Sequence, residues 1–244
     1  MAEGRTAIVT GAGKRVGADI ARALLADGWT VVAHAHNSAD ELPEGAIAAV
    51  ADLAETDCAD RIFAAAAGQP PVKLLINNAA RFTHDGFGDF KPEELDAHMA
   101  VNVRAPTLLI ERFAREHDGS SDALVVNLLD SKLAAPNPDY LSYTVSKQAL
   151  AGLTELAARA LAPRRIRVNG IAPGLMLRSS GQSEENFGRM HANNPLGRRV
   201  GADDVIGAIR YLVDARTLTG QILWLDSGHR FLSLARDVQF LGDE

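Results

Sequence analysis

The strongest constraint on this chain is an alternation that runs through it: short apolar stretches of strand character, separated by segments with helical spacing. "TAIVT" (Thr6 to Thr10) reads as a strand, and the next segment sets Val16, Ile20, Ala23 and Leu24 on one helical face before Gly28 stops it. Further strands are expected at Thr30 to His36, at Ala46 to Leu53, and in "VKLLINNAA", "ALVVNLL", "IRVNGIAPG" and "QILWLD". Helices are expected in "CADRIFAAAA", in Pro92 to Glu116 with a disturbance at Pro106, in "DYLSYTVSKQALAGLTELAARALA" and in "DDVIGAIRYLVD". Asn137 and Pro138 read as the N-cap and first residue of the third of these. The connector between the second and third strands holds Pro43 and Gly45, so its helix is stunted at best. Strands that are apolar on both faces and separated by helices imply a parallel sheet covered on both sides. With right-handed crossovers this is an α/β fold, a single Rossmann-type doubly wound sheet of about seven strands, with its ligand crevice at the strands' carboxyl ends.

The 244 residues suffice for one such domain over the whole chain, and no repeat or linker divides it. The formal net charge of −6 argues against a nucleic-acid-binding surface, while leaving room for a local basic pocket for one phosphate. Cys58 is the only cysteine, which excludes an intrachain disulfide and fits a reducing, cytoplasmic location. No apolar run approaches membrane-spanning length, no signal peptide is expected, and the histidines show no metal-ligand spacing.

"TGAGKRVG" places Gly11, Gly13 and Gly17 between a strand and a helix, the context that makes such a loop a dinucleotide cradle. Gly11 permits the tight turn, Gly13 close approach to a phosphate, and Gly17 close packing of the helix, whose N-terminal N–H groups, beginning near Val16, face the pyrophosphate. The second strand ends in "HAHNS", where His36, Asn37 and Ser38 offer hydrogen bonds and no negative charge. Lys14 and Arg15 oppose the helix dipole, so an anionic partner accounts for them better than solvent does. The cofactor expected is therefore NADP(H) rather than NAD(H).

"YTVSK" puts Tyr143 and Lys147 on one helical face, one turn apart, beyond the fifth strand. A neighbouring cation favours the phenolate, so the tyrosine is expected to be tuned for proton transfer near neutral pH.

At these residues the chain resembles the short-chain dehydrogenase/reductase family over essentially its whole length. The matching residues are "TGAGKRVG", Asp52, "NNAA" (Asn77 to Ala80), Asn102, Tyr143 with Lys147, and "APG" (Ala172 to Gly174). The resemblance implies hydride transfer between nicotinamide and a C=O or C=N bond. It implies Tyr143 as general acid, Lys147 on the nicotinamide ribose lowering the tyrosine pKa, and Asn102 holding a relay water. Asp52 would meet the adenine and Asn78 the adenosine side, with Leu53, Ala79, Ala80, Pro173 and Gly174 completing the cofactor's contacts.

Two departures narrow the resemblance. Arg15 stands where the loop usually has glycine, and Asp130 where a serine usually stands thirteen residues before the tyrosine, with Ser131 one position out of register. Together with "HAHNS" and Phe82 in "NAARF", they resemble the pteridine reductase and dihydromonapterin reductase branch, in which an aromatic at this place stacks on the pterin; Ala80 departs from that branch's frequent serine. An ionised carboxylate repels a developing oxyanion but accepts well from the amino and ring N–H groups of a pterin. The lesser readings are a loop-capping carboxylate for Asp130 and a core aromatic for Phe82. The expected substrate is a dihydropterin-like small molecule, touched by Arg15, Phe82, Asp130, Leu175 and Met176. The alternatives are a carbonyl reductase using Ser131 and a catalytically silent NADP(H) sensor.

Residues from Leu175 to about Val200 are polar and glycine-bearing and are expected to form a mobile substrate lid, with Phe187 as a further wall. The tail, 227–244, keeps enough apolar residues that it should be covered by its own subunit or a neighbour. A homotetramer is expected.

Overall fold

A computed structural model describes residues 4–38, 40–178 and 183–241. Seven parallel strands form one sheet: β1 (Thr6–Val9), β2 (Thr30–Ala35), β3 (Ile47–Val50), β4 (Val72–Asn77), β5 (Ala123–Leu128), β6 (Ile166–Pro173) and β7 (Ile222–Leu225), in the order β3-β2-β1-β4-β5-β6-β7. Registers such as Val9 beside Ile76 and Asn77 beside Asn127 align the carboxyl ends, and the order reverses between β1 and β4. The helices are α1 (Arg15–Ala26), α2 (Cys58–Ala64), α3 (Pro92–Met99), α4 (Ala105–Glu116), α5 (Leu141–Leu161), α6 (Glu184–Ala192) and α7 (Ala202–Asp214).

The side chains of each strand alternate between two cores. Ile8, Val32, Leu75, Val125 and Val168 face one, with Phe63, Leu109 and Phe113 from α2 and α4. Ala7, Val31, Leu74, Leu124 and Ile171 face the other, with Ile20 and Leu24 from α1 and Ile209 and Leu212 from α7. The two layers of burial make this a three-layer α/β structure. β3, at the edge, leaves Val50 exposed, as an edge strand covered on one face does.

Three local expectations are corrected. The helix-bearing stretch Pro92–Glu116 is interrupted at Ala100–Arg104, a π-helical segment in which the Ala105 N–H reaches back to the Ala100 carbonyl. Pro106 lies just after it, in the first turn of α4, where its missing N–H costs little. α5 starts at Leu141 rather than at Pro138, because a remote residue caps it. Asp85 accepts from the Ser142 N–H at 2.9 Å and from the Ser142 hydroxyl, and its carbonyl accepts from the Leu141 N–H at 3.2 Å. Tyr140, before it, holds a left-handed backbone (φ 56°). The lid is not all loop: Ser183 caps α6 by accepting from the Asn186 N–H at 3.1 Å, and Ser179 to Gln182 lie outside the described residues.

Asp85 is buried and serves the Ser142 N–H and hydroxyl at once. Asp85→Ala should therefore cost about 2 kcal/mol, a lost cap plus an unsatisfied buried hydroxyl, read as a lower urea midpoint at unchanged m-value.

Candidate active site

The carboxyl ends of β1, β2, β4, β5 and β6 border one crevice of about 1660 Å³. At its floor the glycine loop is fixed from three sides. The Thr10 hydroxyl accepts from the N–H groups of Asn78 (3.0 Å) and Ala79 (3.1 Å). The Asn78 amide donates to the carbonyls of Thr10 at 2.8 Å and Gly11 at 3.3 Å. His34, buried in β2, accepts the Gly11 N–H at its Nδ1 (3.0 Å), which makes its Nε2 the donor to the Ala51 carbonyl (3.0 Å). Burial lowers its pKa, in keeping with that neutral tautomer. The sequence reading did not find His34. Asn78, expected on the adenosine side of the cofactor, lines the crevice, and the N–H groups of its amide go to the loop.

The loop fits a dinucleotide by what its glycines leave open. Gly11 has φ +66°, and a Cβ on Gly17 would stand 2.1 Å from the Gly11 carbonyl oxygen, so α1 approaches as closely as it does only with glycine there. Lys14, Arg15, Val16, Asp52, Leu53, Ala79, Ala80, Pro173 and Gly174 all line the crevice. Arg15 holds a left-handed backbone (φ 53°), and its guanidinium donates to the Arg178 carbonyl at 3.3 Å, bridging the loop and the segment after β6. His36 and Asn37 also line it; Ser38 is exposed outside it, against expectation, because β2 ends at Ala35 and the chain turns away.

The end of β2 is not free of negative charge. Asp40, missed because it lies beyond the strand, turns back so that its carboxylate accepts from the His36 N–H at 3.2 Å and the Asn37 N–H at 3.4 Å. Its Cβ lies 3.0 Å from where a Gly13 side chain would begin. Asp52 stands 3.8 Å from the His36 ring and caps the Ala54 N–H at 2.8 Å.

Three ionisable groups meet beyond β5, Tyr143 and Lys147 buried and Asp130 half-buried. The Tyr143 hydroxyl donates to Asp130 Oδ2 at 2.8 Å, Asp130 Oδ1 accepts from the Lys132 N–H at 2.8 Å, and Lys147 Nζ donates to the Leu128 carbonyl at 2.6 Å. Asp130 is thus both a loop cap and the tyrosine's partner, and it is Asp130, not Ser131, that meets the hydroxyl. Burial raises the Asp130 pKa. Burial lowers that of Lys147 to about 8, with the Asp130 charge opposing the fall. The expected tuning of Tyr143 toward neutrality is corrected: burial and the neighbouring Asp130 push the phenol well above its ordinary value, so it is a firmly protonated donor.

Asn102 does not line the crevice. Its Oδ1 accepts from the Arg81 N–H at 2.7 Å, and its Nδ2 donates to the Arg81 carbonyl at 3.0 Å and the Ser146 hydroxyl at 2.9 Å. The π-helical segment turns this side chain toward α5, where Ser146 donates to the Tyr143 carbonyl at 2.7 Å. Its amide therefore ties Phe82's neighbour to the turn that bears Tyr143, with both N–H groups used and one lone pair of Oδ1 remaining.

The outer crevice is aromatic. Phe82 is 45% exposed, stacks on Tyr140 (centroids 4.3 Å) and meets Tyr143 edge-on at 4.7 Å, so it is not a core aromatic. The tail closes this end. Tyr140 donates to Gln239, Asp139 binds Arg236 at 2.8 Å and the Asp237 N–H at 2.7 Å, and Lys132 reaches Asp237 at 3.4 Å. Leu175 and Met176 line the crevice, but Phe187 packs on His191 (centroids 4.8 Å) away from it. Val238 is buried by its own subunit, while Phe231 stays exposed. Among the described residues no cluster of three His, Cys, Asp or Glu could hold a metal ion, and no helix is long and apolar enough to cross a membrane.

Residues 11–230 match a protein-family model described as enoyl-(acyl carrier protein) reductase. With the parallel sheet, the glycine loop and the Tyr143–Lys147 pair, this match establishes that the chain belongs to the short-chain dehydrogenase/reductase family. Its similarity extends to the pteridine reductase-like branch. Pteridine reductase 1 of Leishmania tarentolae is 32% identical over 281 aligned positions, covering 91% of this chain and 95% of that protein. The crystal structure of FolM alternative dihydrofolate reductase 1 from Brucella suis in complex with NADP has a TM-score of 0.89 at 35% identity, covering 95% of this chain and 97% of that one. L-xylulose reductase of Bos taurus is also 32% identical, over 238 positions covering 92% of this chain and 96% of that protein. The protein is an NADP-dependent oxidoreductase.

Asp40 sits on the backbone N–H groups at the β2 end, where its charge would oppose a cofactor phosphate bound there. Asp40→Asn keeps an acceptor for them and removes the charge. NADPH should then bind about 1 kcal/mol, roughly fivefold, more tightly, with NADH affinity unchanged, in fluorescence titrations.

Proposed function

We propose that this protein reduces a dihydropterin with NADPH, and that the observation carrying this reading is the Asp130 carboxylate 2.8 Å from the Tyr143 hydroxyl. A carboxylate there accepts from the N–H groups of a nitrogen heterocycle and disfavours the oxyanion of a simple ketone. The half-exposed Phe82 ring, backed by Tyr140, supplies a flat apolar face on which a fused heterocycle can stack.

The cofactor supplies a hydride to the carbon of a C=N bond, and the nitrogen gains a proton. Phe82 stacks the ring, and Asp130 accepts from its N–H groups and orients it. Tyr143, protonated because it is buried beside a carboxylate, donates its proton to the ring nitrogen and is left a phenolate, which regains a proton from solvent to restore its hydrogen bond to Asp130. Lys147 and Arg15 both line the crevice, where Lys147 would supply a positive charge to the ribose of a bound cofactor and Arg15 would serve both cofactor and substrate. Asn102 acts as a positioning residue through Ser146. Exposed Leu156, Tyr211 and Phe231 support a homotetramer, and the lone buried Cys58 accords with a cytoplasmic location.

The test measures NADPH oxidation with dihydrobiopterin, dihydromonapterin, dihydrofolate and a ketone and sugar panel side by side. Turnover confined to the carbonyl compounds refutes the pterin reading. Tyr143→Phe should lower kcat by roughly 10²–10⁴-fold with little change in NADPH affinity. Asp130→Ser should lose pterin reduction, and undiminished activity would refute the assigned role.

The pH dependence has a definite sign. Lys147 loses its proton as pH rises through about 8, so kcat/KM for reduction should fall along an alkaline limb centred there. The Asp130 charge supports the ammonium, so Asp130→Asn should move that limb to lower pH in whatever activity the variant retains.

A further inference from the structure

A second cavity, of about 360 Å³, lies at the opposite edge of the sheet, among the amino ends of β1, β4, β5 and β6. With strands of four to eight residues rising roughly 3.3 Å per residue, it is separated from the dinucleotide crevice by the sheet itself. Arg5, Lys73, Arg165, Arg167 and Arg216 line it, against the one carboxylate of Asp122. The chain as a whole carries a net charge of −6, so this concentration of cations runs against its composition.

Three of these cations, the exposed Arg5 and the half-buried Lys73 and Arg167, are held in place by neutral groups. The Arg5 guanidinium lies 3.9 Å above the Trp29 ring, which satisfies its face and leaves its N–H edge. Lys73 donates to the Ser121 hydroxyl, which keeps its own proton to donate onward. Arg167 gives its Nη groups to carbonyls at the end of α7, those of Leu212 at 2.8 Å and Ala215 at 3.1 Å among them, while its buried Nε has no partner. Arg165 alone is paired, with Asp122 at 3.1 Å. Among the described residues no ion pair neutralises Arg5, Lys73, Arg167 or the exposed Arg216.

We propose that this amino-end cavity binds a compact phosphate-type dianion, either free inorganic phosphate or pyrophosphate or the phosphate of a small ester. Such an anion relieves the mutual repulsion of these cations, takes the idle N–H edge of Arg5 and the Ser121 proton, and fits the volume, which a dinucleotide does not. Nothing in the argument depends on which substrate the oxidoreductase site reduces.

The experiment uses the holoprotein saturated with NADPH, so that the glycine-loop anion site is filled. Pyrophosphate, inorganic phosphate and glycerol phosphate are titrated by calorimetry at constant ionic strength, with melting temperature as a second readout. Saturable binding of at least one of them is expected, weakened tenfold or more by Arg216→Ser and by Lys73→Gln, and unchanged by Arg22→Ser on α1. Turnover should be unaltered in all three variants. Preference among the anions tells a free phosphate from an ester. Heat and melting shifts that only scale with salt, or binding that Arg216→Ser leaves intact, overturn the proposal; Arg216 is exposed, so its substitution tests binding without threatening the fold.

Discussion

A parallel sheet gathers the carboxyl ends of all its strands on one edge, and everything chemical in this protein follows from that alignment. β1 delivers the glycine loop, β4 the Asn78–Ala79 turn that pins the loop, β5 Asp130, and β6 Pro173 and Gly174. None of these segments contacts its partners in sequence; the register of the ladders brings them together. The reversal of strand order between β1 and β4 opens the crevice, and the close approach of Gly17 to Gly11 keeps the α1 N-terminus at its floor.

On that edge the protein sets a half-buried carboxyl beside a buried phenol and a buried ammonium. Such a set is costly unless its members are hydrogen-bonded, and each one is: Tyr143 to Asp130, Asp130 to the Lys132 N–H, Lys147 to the Leu128 carbonyl. Their protonation is consequently shared. The lysine yields its proton more readily than in water, and the phenol and carboxyl hold theirs more firmly. A serine in place of Asp130 would leave the tyrosine with a neutral partner; the carboxylate makes the proton inventory of the site larger by one.

Much of this was legible in the sequence. Strands apolar on both faces and separated by helical periods specify the doubly wound sheet, and its seven strands fall where those runs lie. The loop glycines, Tyr143, Lys147, Asp130 and Phe82 come to one crevice as their spacing and positions implied. What sequence could not give was long-range capping and side-chain commitment. Asn137 resembles a local N-cap, yet Asp85, over fifty residues away, takes that role. His34 reads as an ordinary strand residue because nothing local says that its ring reaches Gly11 on one side and Ala51 on the other. Asn78 borders the crevice and Asn102 stands behind it, and the N–H groups of their amides go to backbone carbonyls and, for Asn102, also to the Ser146 hydroxyl. Asp40 escaped because only the turn after β2 folds it back. The sequence names the lysine near Tyr143 but not the burial or the Asp130 contact that raise the phenol's pKa.

The outer wall of the substrate crevice is made by the last part of the chain, and that wall is fastened to Asp139 and Tyr140, the two residues that lead into α5. The same short segment therefore sets the entry angle of the helix bearing Tyr143 and anchors the surface that selects what reaches it. A change in the tail that removed the partners of Asp139 and Tyr140 would therefore be felt at two places at once, at the mouth of the crevice and at the start of the helix that bears Tyr143.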